Sequence, residues 1–83
     1  MERVIVEVFL PASGKKYDVR IPLDLNSAVV SGMVAKALAE LSDGSYRASG
    51  SSFLAWQDSG RMLDTDKTMR ECRVQNMSRL ILI

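Results

Sequence analysis

The chain has 83 residues, which is enough for one domain with a single modest core. Its 11 Lys and Arg residues against 10 Asp and Glu residues leave a net charge of +1, and the two signs are interspersed, so no basic stripe points to nucleic acid. The sequence has no histidine and one cysteine, which removes the commonest general base, most zinc sites and any disulfide within the chain. We therefore predict a non-enzymatic domain without a cofactor in a reducing compartment.

Signals for secretion or membrane insertion are absent from the sequence. Acidic residues interrupt the apolar run at its start, unlike the apolar core of a signal peptide. No stretch approaches the roughly 20 apolar residues that cross a bilayer. We expect a cytoplasmic protein that reaches the inner face of the membrane only if a partner recruits it.

Two strands joined by a turn are predicted at the start of the chain. The run from Arg3 to Leu10 alternates apolar and other residues, which is the period of a strand. Residues 11–16 carry the proline and glycine of a turn, and residues 17–21 alternate again. One face of this hairpin is apolar: Val4, Val6, Val8, Leu10, Tyr17, Val19 and Ile21.

A helix is predicted next, capped by Asn26 or Ser27 and running to about Leu41. Its apolar residues recur at spacings of three and four, and the face expected to be buried contains Val30, Val34, Ala37, Leu38 and Leu41. Gly32 inside this helix costs about 1 kcal/mol relative to Ala. Its simplest explanation is a close approach by another element. Residues 42–44 end the helix, and the Ser- and Gly-rich stretch 42–52 is predicted to be a loop.

The second half of the sequence predicts two or three further strands. Residues 53–57 read as a strand, the turn residues 58–60 follow, and a short strand is expected near Met62 and Leu63. Residues 69–72 can make one helical turn, and Arg79 to Ile83 form the last strand. Because the last strand is free to pair beside the first, the order predicts an α+β fold for residues 1–83: one domain, a mixed sheet of four to five strands covered by one helix.

Few side chains suggest chemistry. Cys72 is expected to be a structural thiol, since no base accompanies it, and Asp64 and Asp66 are expected to cap a turn rather than bind a metal ion. Trp56 should share the inward face of its strand with Leu54.

The face of the sheet away from the helix is the more informative surface. Ile5, Phe9, Ile81 and Ile83 would point there, where water should be. Such an apolar face is a candidate for binding a partner. The alternative is that neighbours shield these side chains or that each is exposed singly.

From Phe53 onward the spacing resembles the C-terminal half of ubiquitin-like proteins, with a turn glycine at Gly60, Leu63 in the short strand, and Leu80 and Leu82 alternating in the last strand. Residues 17–22 and 71–74 are similar to the pattern of the small bacterial YukD/EsaB-like family, encoded with type VII (WXG100) secretion systems. That resemblance covers essentially the whole chain. It implies a β-grasp fold and a non-conjugated accessory or regulatory role, with a protein partner in the secretion machinery.

The end of the sequence bears on how such a protein would act. Ubiquitin-like modifiers and sulfur carriers need a C-terminal Gly-Gly, whereas this sequence ends at Ile83 inside its predicted last strand. We therefore expect binding through the sheet face, by Ile5, Phe9, Gln57, Arg79, Ile81 and Ile83. Two alternatives stay open: the ubiquitin-like domain of a larger membrane secretion component, and a modifier or sulfur carrier.

Overall fold

The computed structural model describes residues 1–44, 46–48 and 52–83. Five elements follow one another: β1 (Arg3–Leu10), β2 (Lys15–Pro22), α1 (Ser27–Leu41), β3 (Leu54–Trp56) and β4 (Arg79–Leu82). The strands form one sheet in the order β2-β1-β4-β3, and α1 covers one of its faces. This arrangement confirms the predicted α+β fold with a mixed sheet and one helix. In the described part of the chain, no helix has the length and apolar character needed to cross a membrane.

The sheet is mixed because its two central strands are parallel. β1 runs antiparallel to β2, from Arg3 opposite Pro22 to Leu10 opposite Lys15. β1 runs parallel to β4, and β4 runs antiparallel to β3. The first and last strands therefore lie side by side, as predicted.

The core lies between the sheet and α1. The alternating residues of β1 and β4 supply one wall and the helix supplies the other, with these side chains all nearly inaccessible to water: Val6, Val8, Leu10, Val30, Val34, Leu38, Leu54, Met69, Leu80 and Leu82. Trp56 is half-buried and packs against this core beside Leu54. The strand period of β1 and the helical period of α1 thus converge on one apolar interior.

The helix begins as predicted but buries a different set of residues. The Asn26 side chain accepts a hydrogen bond from the Ala28 N–H at 2.8 Å, which satisfies one of the free donors of the first turn. Leu38 is fully buried, whereas Leu41 is 59% exposed. The prediction for Leu41 was wrong because Leu38 and Ser42 occupy the core side at this end of α1, and Leu41 lies beside the core, in water. Ala37 is half-buried.

Of three further predictions, one is wrong, one is confirmed and one is only partly covered by the described residues. The short strand near Met62 is only an isolated bridge to Ala55, held by the hydrogen bonds from the Trp56 N–H to the Arg61 carbonyl at 2.9 Å and from the Leu63 N–H to the Leu54 carbonyl at 3.0 Å. Residues 69–72 make the single helical turn that was predicted, since the Cys72 N–H donates to the Thr68 carbonyl at 3.0 Å. The loop predicted at 42–52 falls partly outside the described residues, as does its Gly50.

Gly32 does not have the role expected of it. A β-carbon built at this position meets no described atom within 4 Å, so among those residues no close approach requires a glycine. Packing against the described residues therefore does not offset its cost in the middle of the helix.

Candidate protein-interaction face

The open face is our name for the side of the sheet turned away from α1. Laterally paired residues point to the same face of a sheet, so the register decides which side chains meet there. Phe9 of β1 lies opposite Ile81 of β4, and Ala55 of β3 lies opposite Ile81 on the other side. The bridge to Ala55 brings Met62 next to this row. Phe9, Ile81, Ala55 and Met62 therefore form an apolar row across three strands, in which Ala55 itself is inaccessible to water.

A polar cluster lies beside the apolar row and is centred on Glu7. The Gln57 amide donates hydrogen bonds to Glu7 Oε2 at 3.2 Å and to the Leu80 carbonyl at 2.9 Å. Lys16 Nζ and Arg79 Nε lie 3.8 and 3.9 Å from the same carboxylate oxygen. Two cations thus offset the one carboxylate, and the amide of Gln57 fixes its orientation.

The polar cluster contributes more to the geometry of the open face than to the free energy of unfolding. The side chain of Arg79 is 66% exposed, and ion pairs this open to water contribute little to the free energy of unfolding. Arg79 is free to pair with a carboxylate of a partner at little cost. The arrangement therefore offers apolar contact area next to a compact set of hydrogen-bonding groups.

The six residues predicted for this surface divide into two groups. Phe9 and Ile81 lie side by side, and Gln57 and Arg79 meet at Glu7 next to them. Ile83 lies two positions beyond Ile81 and is 52% exposed.

Ile5 stands apart from the other apolar residues. It precedes Phe9 by four positions on β1, which is about 13 Å along a strand, and Glu7 lies between them. Its cross-strand neighbour is Arg20, so its exposed fraction of 36% is bordered by charge. Ile5 therefore does not extend the apolar row.

Sequence reasoning missed three residues of this surface, Glu7, Lys16 and Met62, and the buried Ala55 beside them. Glu7 could have been found from its position, because it is the acidic residue on the outward side of a strand that otherwise carries Ile5 and Phe9. Ala55 and Met62 carry no sequence signal, since only the pairing of β3 with residues 61–63 places them beside Ile81.

Cys72, Asp64 and Asp66, the candidates for chemistry in the sequence, are held in structural roles. Burial raises the pKa of the Cys72 thiol, and the thiol donates to the Asp64 carbonyl at 3.6 Å, so the nucleophilic thiolate is disfavoured. Asp64 Oδ1 accepts a hydrogen bond from the Asp66 N–H at 3.0 Å, as in a turn. Within residues 1–44, 46–48 and 52–83, no group of three or more potential ligands could hold a metal ion.

At the end of the sheet near the start of β1, one arginine joins two carboxylates. Arg70 donates to Glu2 at 2.7 Å and to Asp24 at 3.0 Å. The hydrogen bond from Arg70 lowers the pKa of Asp24 below its ordinary value. This cluster fixes the turn after Met69 against the segments that precede β1 and follow β2.

Comparisons with known proteins agree on the architecture. No protein-family model matches the chain, and no curated protein is similar to it in sequence. The ubiquitin-like domain of EccD5 from Mycobacterium xenopi superposes with a TM-score of 0.80 at 16% identity, covering 100% of this chain and 94% of that domain. The ubiquitin-like domain of the Mycobacterium tuberculosis type VII secretion protein ECCD1 gives 0.76 at 14%, covering 100% and 99%.

A third similar structure is part of a larger assembly. A chain of the MycP5-free ESX-5 inner membrane complex superposes with a TM-score of 0.79 at 22% identity, covering 100% of this chain and 21% of that one. The present chain therefore corresponds to about a fifth of that protein. With these identities the likeness establishes the fold, and the chain has the ubiquitin-like β-grasp architecture that these secretion-system domains share.

Proposed function

We propose that this chain is a ubiquitin-like protein-interaction module of a bacterial type VII secretion machine, non-enzymatic and non-conjugated, which regulates or assists the machine by binding one of its protein components. The architecture shared with the EccD domains supports the assignment to secretion. The proposal covers two forms, an accessory protein of the YukD/EsaB-like kind and a domain of a larger membrane component. In either form the module acts on the cytoplasmic side of the membrane.

The observation that carries the proposal is the juxtaposition of the apolar row with the Glu7 cluster on the open face. Binding surfaces in general have an apolar centre with aromatic anchors and a polar rim that fixes orientation. Phe9 and Ile81 supply the centre, because the parallel register places them side by side. Gln57 and Arg79 supply the rim, because both reach the Glu7 carboxylate.

The test replaces the centre of this face and leaves the core intact. The double variant Phe9→Asp, Ile81→Asp should fold, since both side chains are only half-buried and point away from α1, and it should lose capture of the secretion component. Capture is measured by pull-down of purified cytoplasmic domains of the machine on the immobilised module, with circular dichroism to check folding.

A matched control introduces the same charge elsewhere. Val29→Asp places an aspartate on the outer side of α1, where the valine is 53% exposed, and should leave capture unchanged. If the folded double variant captures the same component as well as the wild type does, the open face is not the binding surface.

A further inference from the structure

The outer edge of β2 has backbone groups without a partner among the described residues. β2 is the edge strand of the sheet. The Leu23 N–H donates to the Glu2 carbonyl at 2.9 Å, and antiparallel pairing alternates the direction of these groups. Every second residue of β2 therefore faces β1, and Lys16, Asp18 and Arg20 direct their N–H and C=O groups outward. No other described segment accepts or donates a hydrogen bond there.

An unpaired edge of this length is a template for another strand. The side chains at its outward-facing positions alternate in sign, from Lys16 to Asp18 to Arg20, and all three are exposed on the open face. Alternating charges make the edge self-complementary: under a twofold axis, an acidic position of one copy can lie opposite a basic position of the other.

Charge selects among the registers that such a pairing allows. A twofold axis that pairs two antiparallel strands leaves α1 of both copies on the same side of the joined sheet. Residues that lie opposite one another must then point to the same face, so the axis passes between the same residue of the two copies. An axis at Asp18 places Asp18 opposite itself and Lys16 opposite Arg20, which is repulsive throughout. An axis at Tyr17 places Lys16 opposite Asp18, but its ladder runs past the start of β2 to residue 14. An axis at Val19 places Asp18 opposite Arg20 on both sides of the axis and keeps the whole ladder within β2, with up to about six backbone hydrogen bonds.

On the face of the sheet that α1 covers, the edge at β2 is only partly shielded from water. Ser31 Oγ accepts a hydrogen bond from the Leu54 N–H at 3.2 Å, which turns that side of α1 toward β3 and the opposite side toward β2. Met33, Ala37 and Leu41 lie on the β2 side at four-residue spacing. Met33 is 45% exposed. A second copy's β2 would extend the sheet beneath this strip and bring its own Tyr17 and Val19 against it.

We propose that the chain forms a twofold dimer by antiparallel pairing of two β2 strands, with Asp18 of each copy opposite Arg20 of the other. The sheet becomes eight-stranded, and both open faces point the same way. Because the contact is a strand edge and one apolar strip, it belongs to the weak, concentration-dependent class of interfaces. Two binding faces on one side favour a partner that presents two sites, since the second binding event is then intramolecular.

Charge exchange tests the pairing directly and without any secretion partner. Asp18→Arg and Arg20→Asp each place like charges opposite one another and should leave only monomer in sedimentation equilibrium, whereas the wild type should gain mass as its concentration rises to about 1 mM. An equimolar mixture of the two variants pairs Arg with Asp at both positions and should recover the dimer. Asp66→Arg and Arg61→Asp, which make the same changes outside β2, should behave as the wild type.

Hydrogen exchange adds a readout at the residues themselves. The amides of Lys16, Asp18 and Arg20 should exchange freely at low concentration and become protected as the dimer forms. A wild type that stays monomeric over this range would overturn the proposal, as would self-association that survives Arg20→Asp or a mixture that fails to recover the dimer. Loss of capture in the open-face double variant tests the proposed function separately, because Phe9 and Ile81 take no part in the strand pairing.

Discussion

At the scale of single residues, Cys72 shows how local surroundings decide between chemistry and structure. The thiol lies against the Asp64 carbonyl, and burial raises its pKa. A raised pKa lowers the thiolate fraction near neutral pH, and the thiolate is the reactive form. The neighbouring Arg73 does not reverse this effect.

We expect Cys72 to react slowly with an alkylating reagent in the folded protein. At pH 8 the rate with iodoacetamide should be several-fold below that of the same chain in urea, because burial limits both the thiolate fraction and access. The rate should rise with pH as the thiol ionises. A folded chain that reacts as fast as the unfolded one would revive a redox role, which Cys72→Ser would then test through secretion activity.

At the scale of elements, the predictable parts are those with a periodic sequence of their own. β1, β2 and α1 were located within a few residues because the strand period and the helical period extend over eight or more positions. The segments around Met62 and Met69 are too short to show a period. Their backbone is set by distant partners: the Leu63 N–H donates to the Leu54 carbonyl and the Met69 N–H to the Leu25 carbonyl, both at 3.0 Å.

Replacing glycine by alanine should change the free energy of unfolding in opposite directions at positions 32 and 60. Gly32→Ala should raise the free energy of unfolding by about 0.5–1 kcal/mol, because alanine is favoured in a helix interior and the added carbon meets no described atom. Gly60→Ala should lower it by about 1 kcal/mol or more, because Gly60 has a φ of 72° that alanine adopts only with strain.

Urea denaturation of the two variants measures both effects, with Gly60→Ala serving as the matched comparison. A destabilised Gly32→Ala variant would show that this face of α1 is packed more closely than the described residues indicate.

At the scale of the whole molecule, the open face was predictable only in part. The alternation in β1 and β4 was enough to place Phe9 and Ile81 on the outward side. It could not reveal that Glu7 lies opposite Arg79, or that Gln57 reaches both strands, because these contacts depend on the parallel register between strands some seventy residues apart.

The cluster of Arg70 with Glu2 and Asp24 should make the free energy of unfolding depend on pH in the acid range. The folded-state pKa of Asp24 is lowered by its hydrogen bond from Arg70, so its stabilising effect is complete above the unfolded pKa of about 3.9 and is lost as pH falls through the lower folded value. Relative to Asp24→Asn, the wild type should be more stable at pH 6, and the difference should shrink below about pH 4.

Urea midpoints from pH 6 to pH 2 measure this difference. Arg70→Met should remove the same advantage, and adding Asp24→Asn to it should then have little further effect. A constant difference between wild type and Asp24→Asn at all pH values would contradict the assignment.

The position of β4 has a consequence for how the protein is made. β4 is last in the chain but lies inside the sheet, between β1 and β3. During synthesis the hairpin of β1 and β2 and the helix can form early, since their contacts are local. The edges of β1 and β3 stay open until β4 has left the ribosome, so the domain completes its core only at that point and depends until then on protection from aggregation.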